Sequence, residues 1–134
     1  MKSHFYHLQI NINYNNISFY KDLMTFMGWN VIFEGEGVVG YTAGGDGSVW
    51  FIKNESNEQT NYDNLGVNHI SFRVEELKNV DEVMEHVKSK NIQMLFDTPK
   101  HRPEFAQSEN ETYYQIMFES SDKILFEVVY TGAK

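Results

Sequence analysis

Two histidines and one glutamate are the residues of this sequence best placed to do chemistry. His7 and His69 each stand near the start of an alternating run, 62 positions apart, and Glu127 is the one acid inside the apolar stretch from Ile124 to Tyr130. Around His7, residues Tyr6, Leu8, Ile10 and Ile12 fall on one face and His7, Gln9, Asn11 and Asn13 on the other. Around His69, residues Ile70, Phe72 and Val74 oppose His69, Ser71 and Arg73. A period of two is that of a strand with one buried face. The apolar face must cover the helix that follows, so both imidazoles turn away from it, into a shared concavity. A carboxylate at the depth of Glu127 costs several kcal/mol unless it finds a partner, and a metal ion is one such partner. Two imidazoles and a carboxylate suit one divalent ion, Zn, Mn, Fe, Co or Ni rather than Ca, and leave positions open for water or a chelating substrate. Such an ion polarises a carbonyl or enolate oxygen, or lowers the pKa of bound water. Each residue taken alone reads more simply as a strand residue satisfied by backbone, water or solvent. The equivalent placement of the two histidines favours a metal held by His7, His69 and Glu127.

The elements that must position these residues occur twice, in the same order. After the first strand, Asn15 and Asn16 offer an N-cap, and Ile17, Phe19, Tyr20, Leu23, Met24 and Met27 recur at helical spacing until Gly28 stops the run. Strands are expected at 30–34, 38–43 and 48–53, separated by glycines. The polar segment 54–66 reads as a linker. A second strand, 67–74, precedes the helical stripe Val80, Val83, Met84 and Val87, and strands are expected at 92–96, 112–118 and 123–130. Pro99 and Pro103 fall in the long loop 97–111, where they disturb no ladder. Matching the halves sets His7 on His69 and Asp46–Phe51 on Asp122–Glu127, an offset of 76 at the last pair. The reading is an α+β chain, one domain over 1–134, built of module 1 (about 4–53), the linker and module 2 (about 67–131).

Composition narrows the partners. With 134 residues, 41% of them hydrophobic, the chain can bury a core. The absence of cysteine excludes disulfides, zinc–thiolate sites and thiol nucleophiles. A net charge of −8 argues against nucleic acid and anionic membrane. No secretion-type leader and no membrane-length apolar run is visible, so a cytoplasmic protein is expected. Arg73 shares the parity of His69 and could reach an anionic substrate from the rim, although a surface ion pair is the blander role. Of Tyr113 and Tyr114, one should face the concavity; Tyr114 is taken as the substrate-side residue. His101 and Arg102 lie in a loop long enough to act as a lid. The cluster Gly44-Gly45-Asp46-Gly47 lacks the Lys-Ser/Thr of a phosphate loop and reads as a hairpin turn.

Three stretches resemble the vicinal-oxygen-chelate (glyoxalase, bleomycin-resistance and dioxygenase) superfamily. They are His7 to Ile12 with Ser18 to Leu23 and Met27-Gly28-Trp29, then Gly66 to Val74, then Phe118 to Glu127. The resemblance covers essentially residues 4–130 and implies two βαβββ modules forming a curved mixed-sheet half-barrel, with His7, His69 and Glu127 as metal ligands. The turn before the last ligand reads Ser120-Ser121-Asp122-Lys123, where the superfamily has an Asp-Pro-Asp-Gly-like turn. Four-ligand members carry a further acid where this chain has Trp50 or Phe51. A three-ligand site is therefore implied, as in extradiol dioxygenases and fosfomycin-modifying thiol transferases, with Trp50 a substrate-side wall. The expected function is a divalent-metal-binding, glyoxalase-like enzyme acting on a small oxygenated, chelating substrate by lyase or isomerase, dioxygenase or thiol-transferase chemistry. The alternative is a metal-free, drug-sequestering protein of the bleomycin-resistance kind. Open sheet edges suggest a homodimer.

Overall fold

The computed structural model describes all residues, 1–134, and divides the chain into two compact units, 1–58 and 59–134. The division falls inside the polar segment 54–66. Each unit is a four-stranded mixed sheet with one α-helix.

In the first unit, strand β1 (His7–Ile12) leads through a 3-10 turn into helix α1 (Ile17–Phe26), followed by β2 (Asn30–Gly35), β3 (Val38–Thr42) and β4 (Ser48–Lys53). The order across the sheet is β1-β4-β3-β2, with β1 and β4 parallel and the other pairs antiparallel. The turn before the helix is capped by Asn13, whose side chain accepts from the Asn15 amide at 3.0 Å; Asn16 makes no side-chain cap. Gly28, at φ +83°, closes α1 in the left-handed conformation that favours glycine. Tyr20, Leu23 and Met24 on the inner face of α1 are buried, as are Ile10, Ile12, Val39, Tyr41 and Phe51. The rings of Tyr20 and Phe51 lie 4.7 Å apart. Truncating a fully buried ring such as Phe51 to alanine removes about 3–5 kcal/mol.

The second unit repeats the plan: β5 (His69–Arg73), α2 (Leu77–Lys88), a two-residue β6 (Lys100–His101), β7 (Glu111–Glu119) and β8 (Leu125–Ala133), in the order β5-β8-β7-β6. Val80, Val83 and Val87 of α2 are buried, together with Phe72, Ile116, Phe118, Phe126 and Val128. The two units are thus βαβββ modules of an α+β fold. No helix is long and apolar enough to cross a membrane.

Two sequence expectations are corrected. The strand expected at 92–96 does not form, because Phe96 and Asp97 both take left-handed φ values, 55° and 58°, which no ladder accommodates. That segment is instead pinned to β7 by single bonds: Leu95 N–H to the Met117 carbonyl at 2.8 Å, and Met117 N–H to the Thr98 hydroxyl at 3.0 Å. Lys100 and His101 supply the edge pairing, opposite Gln115 and Tyr114. The match between modules also shifts by one. His7 pairs with Ser48 and His69 with Leu125, so the last strands align at an offset of 77 (125 − 48), and Trp50 rather than Phe51 occupies the place of Glu127.

Candidate metal centre

In β8, residues alternate between the face packed on α2 and the face turned away from it. Phe126 and Val128 take the helix face, and Glu127 takes the other, where it is only 3% exposed. The parallel register sets Ser71 of β5 against Glu127, so His69, Ser71 and Arg73 share that face. The antiparallel register sets Met117 of β7 against Glu127, so Tyr113 and Gln115 share it too.

The two oxygens of Glu127 are held differently. Oε1 accepts from the Tyr113 hydroxyl at 2.6 Å and from the Gln115 side-chain amide at 2.9 Å. The Gln115 carbonyl in turn accepts from the Arg102 Nε–H at 3.0 Å, which fixes which end of the amide faces the carboxylate. Oε2 lies 3.2 Å from Nε2 of His69, a half-exposed ring. Nδ1 of that ring lies 2.8 Å from the Asn68 side-chain oxygen. An amide oxygen only accepts, so Nδ1 carries a proton, and in the neutral ring Nε2 is a free lone pair. Asn68 itself is anchored through a bond from its amide to the Tyr62 carbonyl at 2.8 Å. Burial, then the hydrogen bond and charge of Glu127, push the Tyr113 hydroxyl well above the usual phenol range, so it remains a donor.

This half-site fits a divalent ion. With bonds of about 2.1 Å, two ligand atoms at a right angle stand about 3.0 Å apart, close to the His69–Glu127 separation. A tautomer-fixing partner on the imidazole and donors on the far carboxylate oxygen are the usual support of such ligands. Within neither unit, however, do three His, Asp or Glu side chains gather at metal-binding distance. His7 lies in the first unit, exposed on β1, where it lines a cavity of about 530 Å³ with Gln9, Ser48, Trp50, Ile32 and Ile52.

The remaining candidates fall as follows. Trp50 faces that cavity, whereas Phe51 is buried beneath α1. Arg73 stands on the Glu127 face but donates to the Thr131 carbonyl at 3.1 Å. Tyr114 turns to the helix face, donating to Asp81 of α2 at 2.7 Å; burial first, then that bond, push its hydroxyl to about 12. His101 packs on Tyr114 with ring centroids 4.5 Å apart and reaches Thr112 at 2.6 Å. The tyrosine that turns to the Glu127 side is thus Tyr113. Sequence reasoning also missed Asn68, Gln115 and the role of Arg102 as an anchor. Gln115 shares the parity of Tyr113 and becomes visible only once the β7–β8 register is known.

No family model matches the sequence, and no curated protein matches it. Solved structures do. A glyoxalase candidate from Bacillus halodurans superposes with a TM-score of 0.76 at 21% identity, over 94% of each chain. The fosfomycin-resistance protein FosX from Listeria monocytogenes, solved with Mn(II) and sulfate, gives 0.67 at 21% identity, over 97% of this chain and 91% of that one. A glyoxalase candidate from Bacillus cereus gives 0.67 at 15%, over 96% and 99%. The chain has a glyoxalase-like fold.

Proposed function

We propose that the chain is a divalent-metal-dependent enzyme of the glyoxalase-like kind, with His7, His69 and Glu127 as its metal ligands. The observation that carries this reading is the asymmetry of Glu127. One oxygen accepts from both Tyr113 and Gln115, and the other lies 3.2 Å from Nε2 of His69, whose Nδ1 is held by Asn68. Bound there, the ion supplies Lewis acidity toward oxygens of a small chelating substrate. Tyr113, Gln115 and Arg102 hold the carboxylate in one rotamer, and Asn68 holds the imidazole. Trp50 walls the cavity on the His7 side. A variant of the Listeria FosX was solved with Mn(II) and 1S,2S-dihydroxypropylphosphonic acid, a ligand with adjacent oxygens. Lyase or isomerase, dioxygenase and thiol-transferase chemistry are all compatible with three protein ligands, since a fold does not fix a reaction. The chain works as a homodimer in the cytoplasm on this reading, with the outer edges of β1 and β5 unpaired in their own sheets.

A second reading has its own support. His69, if protonated, gives Glu127 a partner without an ion, and the cavity beside His7 is walled by aromatic and aliphatic groups. That combination suits a metal-free protein that sequesters a small molecule. Calorimetry with a hydroxamate or catechol separates the two. Chelation replaces two bound waters by one ligand, so binding only to the metal-loaded protein is expected. Equal binding with and without metal would replace the enzyme by the sequestering protein.

A further inference from the structure

The cavity of the first unit has a floor whose construction goes beyond a generic apolar wall. Gly40 of β3 pairs with Trp50 of β4, and a Cβ built on Gly40 would stand 2.7 Å from Cε3 and 2.8 Å from Cδ2 of the indole. Contacts that short never occur, so only glycine lets the ring lie down on the β3 backbone. The other end of the indole is tied by its Nε1–H to the Ser48 hydroxyl at 2.9 Å, and the Phe33 ring stands 6.0 Å away. The ring is therefore fixed in plane by three neighbours, while the residue lines the cavity and remains half-exposed. A rigid aromatic face needs no ordering when a second ring stacks on it, which is where much of the cost of binding otherwise lies.

Charge selects among rings. The lining holds one carboxylate, Asp46, one imidazole, His7, and neither Lys nor Arg. The face of an indole is itself negative and attracts cations. We infer that Trp50, laid flat over Gly40, is a stacking platform for a planar aromatic ring, uncharged or cationic, carried by the ligand of this cavity. The inference rests on the reading that the His7 face is the ligand face; it does not rest on the metal.

The test uses the whole chain in the presence of a chelator, with N-methylquinolinium, 2-naphthol, naphthalene-2-sulfonate and the saturated decahydro-2-naphthol as probes. Binding is followed by calorimetry and by quenching of tryptophan fluorescence. The quinolinium and the naphthol are expected to bind at one site per chain, at least about tenfold more tightly than the sulfonate or the saturated alcohol, a ratio typical of one stacked ring. Trp50→Leu, which keeps an apolar side chain, is expected to lose about tenfold in affinity for both planar probes, and Gly40→Ala to lose a similar factor while melting cooperatively. Equal binding of the saturated alcohol, preference for the sulfonate, or unchanged affinity in Trp50→Leu would each overturn the platform. Co(II) binding by Trp50→Leu keeps this outcome apart from the metal reading. Normal Co(II) binding with unchanged ring binding sinks the platform alone, and lost Co(II) binding in the wild type sinks the metal alone.

Discussion

The two modules share a backbone plan and differ most at one equivalent position. In the first, Trp50 lies between Gln9 and Gly40; in the second, Glu127 lies between Ser71 and Met117. The indole makes itself at home with a glycine beneath it and one hydroxyl at its edge. The carboxylate is nearly fully buried and needs Tyr113, Gln115 and His69 around it, with Arg102 behind. Part of that support comes from strand length. β3 has five residues and β7 nine, and Tyr113 lies in the part of β7 whose counterpart precedes β3. A duplicated frame thus offers the same place twice, and the neighbours decide whether it becomes an apolar wall or a charged half-site.

The sharpest way to break this comparison is to remove both side chains in turn. Glu127→Ala leaves the Tyr113 hydroxyl and the Gln115 amide directed at a buried position with nothing to accept from them, and is expected to cost about 3–5 kcal/mol in urea unfolding. Trp50→Ala, at a half-exposed position, is expected to cost less than about 3 kcal/mol. The reverse order would mean that Glu127 is not the anchor of its network.

A smaller effect is expected from the supporting groups. Tyr113→Phe and Gln115→Leu each remove one donor to Oε1 and should each cost about 1 kcal/mol of stability. Each should also weaken Co(II) binding by about 10- to 100-fold, as loss of a group orienting a ligand does. Unchanged Co(II) affinity in both would separate these residues from the metal.

The smallest effect concerns Tyr114, the neighbour of Tyr113 that faces the helix. Its hydroxyl is raised to about 12, so between pH 10 and 12 the folded chain keeps a proton that the unfolded chain has lost. Stability should therefore be indifferent to this group below about pH 10 and fall as pH rises through that window. Tyr114→Phe should shallow that fall, while Tyr41, raised mainly by burial, maintains part of it. A pH profile of Tm that is the same in both proteins would contradict the assignment.

The order of elements and the faces of the histidines were legible because alternation and helical stripes are local signals. The alternation of Leu8, Ile10 and Ile12 against His7 and Gln9 is the burial pattern of β1 read directly. The support of Glu127 was not legible, because it depends on a register between strands that no local pattern sets. Tyr113 and Tyr114 are adjacent and chemically alike, and only the β7–β8 pairing decides which one meets Glu127. The missing strand at 92–96 has a similar cause. Ile92 to Phe96 has strand-like composition, but left-handed residues and bonds to Thr98 and Met117 override it.

The metal is tested most directly by a spectroscopic Co(II) titration of the wild type beside His7→Ala, His69→Ala and Glu127→Gln. The last variant keeps a carbonyl acceptor for Tyr113 and Gln115 while the oxygen facing His69 becomes an NH2 group, so it is expected to fold but to lose the ligand atom. One Co(II) per chain in the wild type, with affinity lowered at least about 100-fold in each variant, is the expected result. Equal and weak binding by all four proteins would contradict a metal centre at His7, His69 and Glu127.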